Sequence, residues 1–162
     1  MKLLLLVLSI LLLSLISGCA SVKFDTGERQ VAKITPSQAL SLTGSNDAVI
    51  WGGRIVSIRN LQDVTEIEIL SYPLSNGHVP KISRQPGIRF LAVYRGYLEP
   101  INYAPGRYVS LFGELIGDTN LMSGDHELLA PVVQVDQIHL WDANTNNWQN
   151  RINFGVGIGV VL

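Results

Sequence analysis

The spacing of apolar residues changes character several times along this chain. Residues 3–16, LLLLVLSILLLSLI, form an almost unbroken apolar run behind Met1 and Lys2. Residues 20–34, ASVKFDTGERQVAKI, then mix charged and small side chains with no sustained period. A short stretch, TPSQALSLTG, reads as a helix of about two turns. Thr35 is its N-cap, Pro36 its first helical residue, Gln38 the partner in a capping box and Gly44 its stop. From Ala48 onward apolar and polar residues alternate with period two, as strands with one buried face require.

Five strands are expected: 49–58, 65–72, 88–98, 107–117 and 131–141. In the second, Ile67 and Ile69 face one way and Glu66 and Glu68 the other. In the fourth, Val109, Leu111, Gly113 and Leu115 oppose Tyr108, Ser110, Phe112, Glu114 and Ile116. The fifth changes phase near Asp136, which predicts a β-bulge. Turn chemistry fills the gaps at Asn76-Gly77, Pro86-Gly87, Pro105-Gly106 and Ser123-Gly124. Glycines inside strands, above all Gly52-Gly53, let a sheet turn corners. The pattern therefore predicts an all-β domain, a small five-stranded OB-like barrel with a short N-terminal helix. An open β-sandwich is the alternative.

The ends add an address. A basic start, an apolar run too short to span a bilayer and small residues at Ser17 and Gly18 describe a signal peptide over residues 1–18. Ile16-Ser17-Gly18-Cys19 resembles the bacterial lipobox, whose cysteine is acylated and becomes the mature N-terminus. Cys19, the single cysteine of the chain, is thus the expected lipid-attachment residue, and several acyl chains on it, palmitate among them, would anchor a domain stably. Residues 19–34 are then expected to be a lipid-anchored tether, with a short docking segment at its end as an open alternative. Ala20 follows the cysteine where Gram-negative lipoproteins retained at the inner membrane commonly carry an acidic residue, so the outer membrane, facing the periplasm, is the expected location.

With 12 Lys and Arg against 13 Asp and Glu the chain is weakly acidic, and loss of Lys2 makes it one unit more so. Phosphate binding needs clustered cations, which argues against a nucleic-acid partner. One cysteine excludes an internal disulfide, so stability must come from an apolar core.

Several blocks resemble a known family. VIWGGRIVSIRN, TEIEILSYPLSNGHVP, RFLAVYRGYLEPINYAPGRYVSLFGELIG and PVVQVDQIHLW stand in the order and spacing of the Slp family of outer-membrane lipoproteins. The family is named for induction on starvation in enteric bacteria. The resemblance runs from about residue 30 to about residue 142 and places residues 35–148 in one Slp-like domain. It implies an envelope lipoprotein of the starvation and stress response. It supplies no catalytic motif, and the tail beyond Trp148 departs from the enteric pattern.

The residues themselves offer little chemistry. His78, His126 and His139 show no metal-ligand spacing, and there is no CxxC, HExxH or GxSxG. No enzyme activity, metal or cofactor is expected beyond the covalent lipid on Cys19. Trp51, Gly52, Gly53, Arg89 and Tyr97 are the candidate ligand face, with Trp51 as a stacking wall for an envelope glycan or another anionic ligand. Otherwise Gly52-Gly53 is a barrel corner and Trp51 is core, which is the default. An envelope protein is the other candidate partner. The tail at 149–162 ends in FGVGIGVVL, whose alternation suits an added strand, a partner contact or the bilayer.

Overall fold

A computed structural model of the chain describes residues 22–42 and 45–142. The expected signal peptide, Cys19, the Gly44 stop and the tail at 149–162 lie outside the described residues. Five strands, β1 (Ala48–Asn60), β2 (Val64–Ser71), β3 (Arg89–Arg95), β4 (Tyr108–Ser123) and β5 (His126–Leu140), follow one helical turn, α1 (Pro36–Ala39).

The strands close in the order β1-β2-β3-β5-β4, all antiparallel except β3 with β5. This is the OB-like barrel, and closure rules out the open sandwich. Closure depends on β1 serving two ladders. Its first half, Ala48–Arg54, pairs with β4, and its second, Gly53–Asn60, pairs with β2. The strand bends where the ladders meet. A Cβ on Gly52 would stand 2.5 Å from the Val109 carbonyl oxygen, and one on Gly53 would overlap the Leu70 carbonyl. Neighbouring backbone fills the space that these glycines leave.

Inside, Val49, Trp51, Ile55, Ile67, Ile69 and Phe90 pack with the inward residues of β4 and β5. Trp51 meets Phe90 edge to face at 5.3 Å, an arrangement suited to the aromatic quadrupoles. The phase change foreseen in β5 is a bulge. Phe112 pairs with Gln137 and Gly113 with Val135, so Asp136 is skipped.

Three details differ from the sequence expectation. The capping box is present, with Gln38 N–H donating to Thr35 Oγ1 at 3.3 Å and Thr35 N–H to Gln38 Oε1 at 2.8 Å. Yet α1 lasts one turn, because within it only Pro36 and Ala39 are buried, too small an apolar face to support a longer helix. Strands β4 and β5 run past the barrel as a two-stranded arm. Its two-residue turn, Gly124-Asp125, has Gly124 at φ 61°, a conformation that favours glycine.

The third difference concerns the tether, which is docked from residue 22 onward. Asp25 exchanges two hydrogen bonds with the Gln137 side chain at 3.0 and 2.5 Å, and Val31 bridges to Ala48. Arg29 pairs with Asp136 at 2.6 Å, and its guanidinium stacks over Phe112 at 4.3 Å. Phe112 explains the docking. Alternation turns it to the outside of β4, yet it is fully buried, so something must cover it. The segment ends with Trp51 Nε1–H donating to the Ile34 carbonyl at 2.8 Å.

Gly53→Ala is expected to lower the unfolding free energy by about 3 kcal/mol or more, since backbone must move to admit one methyl. Urea unfolding of the variant beside wild type measures it. A loss below 1 kcal/mol, on the order of a mild surface substitution, would mean that β1 does not bend as described.

Candidate functional site

The five residues of the candidate ligand face are not brought together. Trp51 is 5% exposed and belongs to the core, and Gly52 and Gly53 are covered by the β2 and β4 backbones. Arg89 is held by Glu68 at 2.6 Å on the outer face of the sheet. Tyr97, 65% exposed, lies in the β3–β4 loop and points toward Glu99. The corner reading therefore replaces the stacking wall, because β1 needs that space for its two ladders.

Two larger concavities lie elsewhere among the described residues. The first, about 530 Å3, lies between the arm and the outer face of β1, β2 and β3. Arg59, Glu66, Glu68 and Leu91 line one side and Leu121 and Met122 the other. Its charges are already matched. Arg59 donates twice to Glu66, at 3.1 and 2.5 Å, and the Ser57 hydroxyl donates to Glu68 at 3.3 Å. Glu68 also holds Arg89, so an anionic ligand would have to break pairs that strand register has set opposite one another.

The second concavity, about 410 Å3, opens where β3 leaves β5. Their parallel ladder stops at Tyr94 and Val135. Beyond it Tyr94, Leu98 and Tyr103 face Gln137 and His139, with Val22–Phe24 across the mouth. Burial raises the pKa of the Tyr103 phenol, and the neighbouring Tyr94 adds to this. Among the described residues no Ser, Thr or Cys lines this cleft. Sequence reasoning missed the gathering. The Asp136 bulge was its one visible trace, since a bulge re-aims the side chains that follow it.

The histidines are dispersed. His78 stands at φ 61° in the β2–β3 loop, with Nδ1 2.9 Å from the Val22 carbonyl oxygen and its ring 5.6 Å from Phe24. Its own carbonyl accepts from the buried Ser110 hydroxyl, which accepts from Trp141 Nε1–H at 2.9 Å. That relay pins the loop to β4. His126 closes the arm turn, and His139 meets Trp141 edge to face at 4.3 Å. Among the described residues no three His, Cys, Asp or Glu side chains gather as a metal site.

Comparison with known proteins agrees with this frame. The model of the outer membrane lipoprotein Slp family matches residues 16–156. The chain belongs to the Slp family. An uncharacterized protein of Haemophilus influenzae is 32% identical over 121 residues, 70% of this chain and 66% of its own length. The uncharacterized lipoprotein YeaY of Escherichia coli is 24% identical over 133 residues, 78% and 67% of the two lengths. This Slp-family chain thus spans about two thirds of the relatives it matches. Solved structures similar to it include a small single-stranded DNA-binding protein of Streptomyces coelicolor, with TM-score 0.39 and 11% identity over 61% of this chain and 97% of that one. Another is the mitochondrial single-stranded DNA-binding protein Rim1 of S. cerevisiae, with TM-score 0.37 and 17% identity over 59% and 94%. At these TM-scores the fold assignment rests on strand order and register, not on these neighbours.

Burial lowers the His139 pKa below its ordinary 6.5, against the opposing pull of Asp142. The native state then binds fewer protons than the unfolded chain. Its contribution to stability is complete above the unfolded value and is lost as pH falls through 6.5 toward the lowered native pKa. Proton NMR should place the His139 midpoint below 6.5, and His139→Gln should flatten the fall in stability on acidification. A midpoint above 6.5 would contradict the burial seen here.

Proposed function

We propose that this Slp-family protein is a non-enzymatic component of the outer membrane, anchored by lipid on Cys19, that faces the periplasm and acts through surface contacts in stationary-phase or stress adaptation. The observation that carries the non-enzymatic, contact-based reading is how the arginines and tyrosines are arranged. A glycan or anion reader would present both kinds on one concave face. Here Arg59 and Arg89 are paired with Glu66 and Glu68 under the arm. Tyr94 and Tyr103 line the separate cleft, and Tyr72 stacks on Tyr108 at 6.3 Å, opposite Arg54 in the ladder but outside both concavities.

A periplasmic hydrolase is a second reading with one feature in its favour, since His139 and Asp136 share the cleft. Against it, Asp136 is occupied by Arg29, and none of the described residues of the cleft is an aliphatic hydroxyl or thiol nucleophile. The anchor rests on the lipobox, on the family match that begins at residue 16 and on the lipoprotein among the relatives. The stress role rests on the family resemblance.

Intact-mass spectrometry of protein from separated membranes tests the anchor. The expected species begins at acylated Cys19, fractionates with the outer membrane and is lost in Cys19→Ala. A chain retaining residues 1–18, or one cleaved elsewhere without lipid, would sink the lipoprotein reading. The cleft is tested in the same cells. Tyr103→Phe with His139→Gln should support stationary-phase survival as wild type does, at equal protein level, whereas a null phenotype from that intact variant would assign chemistry to the cleft.

A further inference from the structure

The distance between the anchor and the fold is short enough to orient the barrel. Only Ala20 and Ser21 separate Cys19 from Val22, so the three Cα–Cα steps reach at most about 11 Å at 3.3–3.6 Å per residue. Val22 itself is fixed. Its N–H donates to the Gly77 carbonyl at 3.0 Å, and its carbonyl oxygen lies 2.9 Å from His78 Nδ1. A lipid on Cys19 would sit at the hydrocarbon boundary, beneath a headgroup layer about 5–8 Å thick. Most of the link is then spent in crossing the headgroups, and the end of the barrel that carries Val22 must rest on them.

That end has the side chains for it. Val22 shares its cleft with Leu98 and Tyr103 of the β3–β4 loop. The same loop exposes Tyr97 at 65% and Ile101 at 79%. It is tied to the β1–β2 turn by Gly96 N–H donating to the Asp63 carbonyl at 2.9 Å and by Asn60 Nδ2–H donating to the Leu98 carbonyl at 3.0 Å. The turn adds Leu61, 46% exposed. The Thr65 hydroxyl, donating to the Gly96 carbonyl at 2.7 Å, fixes the loop from beneath. Two aliphatic tips and a tyrosine on a braced loop are poorly placed in water and well placed at a bilayer interface, where tyrosine's amphipathic ring is favoured.

The other exposed apolar residues lie elsewhere. Met122 and Leu129 are on the arm, and β4 runs from Tyr108, at the Val22 end, to Ser123 at the arm tip. Tyr108 to Met122 is roughly 45 Å of strand at about 3.3 Å per residue, several times the reach of the link.

We propose that Leu61, Tyr97 and Ile101 form a bilayer-contacting edge, so that the domain stands on the membrane by its β1–β2 and β3–β4 loops and holds the β4–β5 arm outward. This rests on acylation of Cys19. The contact is with lipid, because the geometry of the link imposes it whatever protein partners are present.

The test uses the full lipidated chain in phosphatidylethanolamine–phosphatidylglycerol vesicles, with one environment-sensitive fluorophore on Ile101→Cys or on Met122→Cys. In the lipidated chain the Cys19 sulfur is already bonded, so only the introduced thiol reacts. Intact mass read beforehand shows whether Cys19 carries lipid, which separates failure of the anchor from failure of docking. The expected result at residue 101 is a blue shift, quenching by acyl-brominated lipid and loss of most iodide quenching, with none of these at residue 122. The vesicles contain no other protein, so protection there can come only from lipid. An acylated chain whose residue-101 probe is as open to iodide as in an unlipidated Ile101→Cys chain begun at Ala20 would overturn the proposal. So would lipid quenching at residue 122 in place of 101.

Discussion

The structure depends on one constraint, that β1 must belong to two ladders. A sheet of five strands has two edges, and closing it makes one long strand pair with β4 first and β2 afterwards. The change of partner occurs at Gly53 and Arg54, which are paired on both sides. Two neighbouring backbones approach there more closely than a Cβ permits, so glycine is required by space and not by φ. Once β1 bends, Trp51 turns inward onto Phe90, and its indole N–H takes the Ile34 carbonyl. The start of the domain is thereby tied to its core. Closure also leaves few exposed edges, which matters for a chain rich in β-branched and aromatic strand residues.

The N-terminal segment is where fold and address meet. It covers Phe112, an apolar side chain that the alternation of β4 forces outward, and it uses the carboxylate re-aimed by the Asp136 bulge to hold Arg29. An exposed ion pair of this kind contributes little alone, about 0–1 kcal/mol. Here it sits beside a buried ring and two side-chain–backbone hydrogen bonds, so the segment is held by several modest terms. The consequence is mechanical. Residues that composition marks as a flexible spacer are used up in packing, and little free chain remains between Cys19 and the first fixed residue.

Most of the fold was legible in the sequence, and for definite reasons. Period-two alternation with glycine-containing turns locates all five strands, and the broken phase at Asp136 marks the bulge. Helix α1 came out too long because a capping box fixes where a helix starts and says nothing of where packing ceases to support it. The arm was cut short because residues 118–130 alternate weakly, their ladder being supported by cross-strand pairs such as Leu121 with Leu128 rather than by a core. The docked segment reads locally as a spacer with at most a short docking end, because its contacts are long-range. Nothing local in ASVKFDTGERQVAKI shows that Asp25 will meet Gln137. The candidate face failed on a similar ground, since Trp51 with two glycines reads the same for a groove as for a corner. Only the positions of Val109 and Leu70 decide between them.

An OB-like barrel invites the thought of nucleic acid, because the outer face of β2 and β3 with the β1–β2 and β4–β5 loops is where such folds bind oligonucleotides and oligosaccharides. The register of this chain argues against that use. Arg59 stands opposite Glu66, and Glu68 is flanked by Arg89 and the Ser57 hydroxyl, so both arginines beside the acidic residues of the face already have a partner. The Arg89–Glu68 pair is the more secluded, with side chains 27% and 12% exposed. Separating it would leave a poorly solvated carboxylate facing any incoming phosphate. Affinity for polyanions comes from cations that release counterions on contact, and cations already neutralised by the fold have few to release.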